Sequence, residues 1–192
     1  MNVLIPAIEV WQQFHWAFFV NTQGLIISLG RFEVALEKNE LTAAEKELDA
    51  ASTLLLASAA SMELAGSFTR REYEEEVRPS MLPPHVSLDN FSGLMSWDHA
   101  TLIAIWRRLQ SKFANIPDEL RRSHEAFNTA YGRLASSHRQ VCKQFGGDEG
   151  GSIRHESEIA VDVLDRFTKS RRNLLCPNSR GGCPFPHKHK PR

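Results

Sequence analysis

At 192 residues the chain is the right size for one domain with a sizeable core. Its 23 basic and 23 acidic residues cancel, so charge argues against a nucleic-acid partner and against attachment to bulk membrane. Three cysteines make no disulfide framework, and the odd count without a signal peptide is the usage expected of a reducing cytoplasm.

The first predicted element is a long helix over residues 8–37, with Trp11, Phe14, Phe18, Phe19 and Leu25 available for packing. Its apolar stretch contains Gln12, Gln13, His15, Asn21, Thr22 and Gln23, which is too polar for a lipid-facing span, so it reads as a buried core helix. Gly24 and Gly30 are weak points within it. His15 and Thr22-Gln23 are the polar residues available to face a cavity, although a satisfied core histidine is the commoner fate of such a residue. Thr42-Ala43-Ala44-Glu45 has the form of a capping box and predicts a second helix, rich in Ala and Leu, through Leu64 to a stop at Gly66. Thr69-Arg70-Arg71-Glu72 is a second capping box, opening a short helix that Pro79 should end, with Arg78 beside it.

Residues 80–90, with Met81-Leu82-Pro83-Pro84-His85, read as a loop. His85 is either a surface histidine or an acid–base group over a site. Ser96 can cap a helix running to about Asn115, whose stripe is Leu102, Ile103, Ile105, Trp106, Leu109 and Phe113. His99 falls in its first turn. Ile116-Pro117-Asp118-Glu119 opens the next helix, which carries Phe127, Tyr131, Leu134, His138 and Phe145 and stops at Gly146-Gly147. His138 and Cys142 are four apart and share a helix face: an imidazole that can ligate a metal, and a thiol one turn further on. A partly exposed histidine beside a buried cysteine would look the same. A glycine-rich loop follows to Ser152, then a last helix over 157–174 with Ile159, Val163, Leu164 and Phe167 on one face. The tail from Cys176 is basic and rich in Pro and Gly. Cys176, Cys183, His187 and His189 could bind zinc there, but their spacing fits no defined finger and a mobile tail is favoured.

The pattern His99, thirty-eight residues, then His138-x-x-x-Cys142 resembles the 3-methyl-L-tyrosine hydroxylase family of saframycin biosynthesis. Phe91-Ser92-Gly93-Leu94-Met95-Ser96 is similar to the SGFQS segment of tryptophan 2,3-dioxygenases, members of the haem-dependent aromatic oxygenase superfamily. Met62-Glu63, Phe68-Thr69 and Tyr73 to Arg78 resemble another run of that superfamily, and His138 through Gly150-Gly151-Ser152 resembles its proximal-histidine helix leading into GTGGS. The likenesses are collinear from about Phe18 to Ser152.

What the resemblance implies is an all-α domain over 1–174, a helical haem-binding fold like that of tryptophan 2,3-dioxygenase, followed by the tail at 175–192. It implies haem held by His138 and His99 and tethered by one thioether to Cys142. His99 would be the second axial ligand or a distal acid–base group, with His15 and His85 as further candidate catalytic groups. Arg78 would clamp a substrate carboxylate, while Ser152, with Gly151 beside it, would meet the substrate ammonium. The implied activity is hydroxylation of a tyrosine- or tryptophan-like amino acid with hydrogen peroxide, in a homo-oligomer without membrane or nucleic-acid partners. Two strong axial ligands leave the oxidant no open position, so one must move or the active species must differ from the resting one. An O2-dependent indole dioxygenase and a non-enzymatic haem- or zinc-binding helical protein are the alternatives.

Overall fold

The computed structural model describes residues 5–87, 93, 96–149 and 158–177, and among them the architecture is all-α. Helix α1 (Ala7–Glu37) and α2 (Leu41–Ala65) form an antiparallel hairpin through a three-residue turn, with Asn39 in the left-handed region at φ 56°. The expected Thr42 cap is not made: the N-cap falls two residues earlier, at Glu40, and α2 begins at Leu41 with no side-chain cap. Leu41 packs against the core and Glu40 N–H already donates to Ala35 O at 2.9 Å, so turn and core fix the helix start without the threonine. By length and composition α2 would pass for a membrane-crossing helix, but Leu48, Ala51, Leu55 and Ala59 are buried between α1 and α6, as in a core helix.

After Gly66 the second capping box forms as expected. Thr69 Oγ1 accepts from Glu72 N–H at 3.2 Å, and the Glu72 carboxylate accepts from Thr69 N–H at 2.7 Å. Here α3 (Arg70–Glu72) runs into a π-helical turn, Tyr73–Val77, and then α4 (Arg78–Ser80). The segment ends at Ser80, one residue past Pro79, so it stops close to where the proline was expected to end it. The wider π turn loosens the ladder just before Pro79, which relieves the clash and the missing donor that a proline brings to an α-helix. A small second core gathers here from Ala7, Phe68 and Val77 with Trp11, Tyr73, Met81 and Phe145.

The main core lies between α1, α2, α5 (Trp97–Ala114) and α6 (Arg121–Gln144), the latter entered through a 3₁₀ turn at Asp118–Leu120, and is closed by α7 (Ala160–Leu175). Helices α5 and α6 meet through a ladder of rings seven residues apart. Phe113 stacks on His124 with centroids 4.7 Å apart, and one rung along Trp106 meets Tyr131 edge-on at 5.4 Å. A seven-residue step turns an α-helix by almost two full turns, so each helix presents the same face at every rung. One further seven-residue step along each helix reaches His99 and His138, near enough for His138 to act on the His99 imidazole. Ile159, expected on the apolar face of the last helix, is exposed instead, because it sits at the N-cap of α7 before the buried face begins.

Candidate active site

Ser96 starts α5 by accepting a hydrogen bond from the backbone N–H of His99 at 3.2 Å, so the cap and the histidine are placed by one contact. The turn carrying His138 is pinned to α2: buried Ser137 donates to Glu63 at 2.6 Å, and Arg133 donates to the same carboxylate oxygen at 2.7 Å. One turn on, Val141 lies so close to Gly66 that a Cβ there would sit 2.8 Å from its methyl carbon, and Gln144 donates to Gly66 O and Phe68 O. These contacts leave α6 little freedom to rotate.

The structure brings His15, His99 and His138 to one place, together with Arg171 from α7. The Arg171 guanidinium donates to His99 Nε2 at 2.6 Å. A guanidinium can only donate, so Nε2 carries the lone pair and Nδ1 the proton. Burial, then Arg171 and then His138 hold His99 down to about 4; burial, then Arg171 and then His15 hold His138 down to about 4 as well. Burial also lowers His15, which packs between Trp11 and Phe19 at centroid distances of 4.3 and 5.1 Å. A Cβ on Gly93 would lie 3.8 Å from His15 Nε2, so that glycine closes the same space. His99 and His138 are thus neutral near pH 7, the protonation state a metal ligand needs.

Cys142 is half-buried one turn beyond His138. Burial, followed by Asp148, pushes its thiol up against the opposing pull of Arg139, so the sulfur stays protonated and is a poor metal ligand. The chain folds back tightly over it. Gly146, at φ +80°, and Gly147 end α6 in a Schellman motif, with Gly147 N–H donating to Cys142 O at 2.9 Å and Gly146 N–H to Lys143 O at 3.1 Å. A Cβ on Gly147 would overlap the Cys142 sulfur. Behind the loop, Phe145 stacks on Tyr73 and Phe68 at 4.3 and 5.2 Å.

The remaining expected residues are scattered. Arg78 is exposed at the start of α4, near enough to Tyr73 to act on its phenol, and His85 is exposed in the loop that follows. Gly151, Ser152, Cys183, His187 and His189 lie outside the described residues. Sequence reasoning missed Arg171 and the pin at Glu63. The first was signalled: extending the stripe Val163, Phe167 by four residues puts a cation on the apolar face of α7. An open groove of about 420 Å³ between α1 and α2, lined by Ile26, Ile27, Val34 and Ala43, contains none of these groups.

Among the described residues no group of three His, Cys, Asp or Glu side chains is placed to hold a bare metal ion. Two neutral imidazoles on facing helices instead suit a metal that brings its own equatorial ligands, as haem does. The chain matches the model of the SfmD 3-methyl-L-tyrosine peroxygenases over residues 6–123, well over half its length. It belongs to that family. The matched region includes His15 and His99, while His138 and Cys142 lie beyond it. The 3-methyl-L-tyrosine peroxygenase of Streptomyces lavendulae is 28% identical over 179 residues, covering 88% of this chain and 47% of the relative. The chain thus spans about half the length of the curated relative it matches. No solved structure matches it.

Proposed function

We propose that this family member acts as a haem-dependent peroxygenase, hydroxylating an aromatic amino acid of the tyrosine type with hydrogen peroxide. The observation that carries this reading is the convergence of His99 and His138, neutral and thirty-nine positions apart, at the third rung of the α5/α6 ladder. His138, on the more firmly pinned helix, would be the permanent ligand; His99 would be the second, displaceable one, ligating only once Arg171 gives up its hydrogen bond to Nε2. When bound, the haem supplies the oxygen chemistry, and the protein supplies ligands, pocket and orientation.

Cys142 would tether such a ring: its protonated thiol would add across a vinyl group, sulfur to one carbon and the thiol hydrogen to the other, with no external oxidant or reductant. The bond would keep the cofactor in place and fix its orientation without occupying a coordination site. His15 offers a neutral imidazole to the same space, available to accept a proton where reacting groups meet. Arg78 and the Gly151–Ser152 segment retain the substrate-contact roles that the family likeness gives them, and exposed His85 keeps the weaker one of acid–base group. Exposed Trp16, Val20, Ile27 and Val34 along α1 support self-association, consistent with a homo-oligomer.

The deciding experiment is an absorption spectrum of purified chain supplied with haem, followed by intact mass under denaturing conditions. The expected result is a low-spin ferric spectrum in the parent, five-coordinate high-spin iron in His99→Ala and no stable haem in His138→Ala. Haem mass should persist on the denatured parent and vanish in Cys142→Ser. A parent that stays colourless would end the haem reading, and extractable haem in the parent would end the tether.

A further inference from the structure

We propose that Arg171 is a carboxylate-binding residue of the histidine site, with the Tyr131 hydroxyl as its second donor. The inference deepens the peroxygenase reading and rests on it for the identity of the ligand.

Arg70, Arg108, Arg133 and Arg139, on the exposed faces, each pair with a carboxylate. Arg171 is half-buried among rings and imidazoles, and among the described residues no carboxylate pairs with it. Its guanidinium spends one N–H on His99 Nε2 and lies 5.3 Å from the Phe167 ring centroid. A cation withdrawn from water without a counter-charge is costly, and a neutral imidazole compensates it poorly. Beside it the Tyr131 hydroxyl, on a residue only 5% exposed, is near enough to Arg171 and Thr168 for both to act against the effect of burial on its phenol, yet it makes no well-formed hydrogen bond. The guanidinium has donors only, and Tyr131 has a hydroxyl proton to give. The complementary ligand is a group of lone pairs carrying negative charge, and a planar carboxylate matches the two-pronged guanidinium. Its position next to His99 puts that carboxylate at the site itself, whereas Arg78 faces solvent.

Two carboxylates fit the chemistry: that of an amino-acid substrate, and a propionate of the porphyrin. Equilibrium binding to the full chain separates them, with 3-methyl-L-tyrosine against its carboxamide in one arm and haem against haem dimethyl ester in the other. A charged hydrogen-bonded pair of ordinary strength gives the parent about a ten- to hundredfold preference for the free acid in the arm that uses Arg171. Arg171→Met should bring that preference close to parity, Arg171→Lys should retain part of it, and Arg108→Ala, on an exposed face away from the site, should leave it intact. Far-ultraviolet circular dichroism and the urea midpoint establish that each variant is folded, and Arg171→Gln replaces the methionine variant if that one is not. Loss of discrimination in the amino-acid arm assigns the substrate carboxylate; loss in the ester arm assigns the propionate. The proposal is overturned if the parent shows no acid preference in either arm, or if its preferences survive Arg171→Met. Absence of haem uptake by the parent would refute the peroxygenase reading while leaving the amino-acid arm fully readable.

Discussion

Acid should unfold the haem-free chain earlier than its carboxylates alone require, because its site histidines are kept neutral by the fold. His99 and His138 are held at about 4, against 6.5 for an unfolded histidine. Between those values the unfolded chain binds protons that the folded chain refuses. The stability is therefore complete above pH 6.5 and drains away as pH falls towards 4. A gap of about 2.5 at ~1.36 kcal/mol for each pH unit corresponds to ~3.4 kcal/mol for one histidine acting alone. The two neighbours do not titrate independently and both keep some contact with water, so about 3 kcal/mol for the pair is the working figure. Set against a domain stability of ~5–15 kcal/mol, that is a large share. Urea midpoints measured from pH 7 to pH 5 read this loss before the capping carboxylate of Glu72, held below the usual range by Thr69, begins to protonate. His99→Gln combined with His138→Gln should make the profile shallower, since glutamine can still accept from Arg171 but does not titrate; the slope left over belongs to His15 and His124, which burial also lowers. A parent whose midpoint is level from pH 7 to pH 5, or a double variant with the parent's slope, would refute the reasoning.

Gly147→Ala should cost about 1–3 kcal/mol by denaturant unfolding, because the new methyl would overlap the Cys142 sulfur and lie 2.7 Å from its carbonyl oxygen. Adding Cys142→Ala should recover only part of the loss, since the carbonyl remains. Glu63→Ala removes the acceptor shared by Ser137 and Arg133 and should cost about 1–2 kcal/mol in urea, with weaker haem retention as α6 loosens. Tyr131→Phe should raise the stability of the haem-free chain by about 1 kcal/mol, since it deletes a buried hydroxyl that has no partner. A loss of similar size in that variant would show the hydroxyl to be bonded.

The helices themselves were legible in the sequence because their signals are local. The stripe of α5, the Thr69 capping box and the glycine stop of α6 each depend on residues within a turn or two, and each formed where expected. A local signal misled at Thr42, where a tight hairpin turn overrode it, and the π turn at Tyr73–Val77 had no signal at all, although the segment still ended beside Pro79. The placing of His99 and His138 in one region was reachable only through likeness to a family, although the spacing of Phe113, Trp106 and His99 along one helix matches that of His124, Tyr131 and His138 along the other. Arg171 escaped notice because a cation on an amphipathic helix is ordinarily a solvated residue, and only the fold shows which face it shares.

The ladder also dictates where this chain can gain or lose residues. One residue inserted into α5 between His99 and Phe113 turns everything on its far side by about 100°, and the same holds in α6 between His124 and His138. Either change would swing one histidine away from the other while leaving both helices intact. The turn between the helices, residues 115–120, lies outside the two ladder spans, so a change of length there, provided that Ile116 and Leu120 keep their places in the core, moves no rung. Variation in the distance between the two histidines should accordingly be confined to that turn, with fourteen residues from His99 to Phe113 and fourteen from His124 to His138 held fixed.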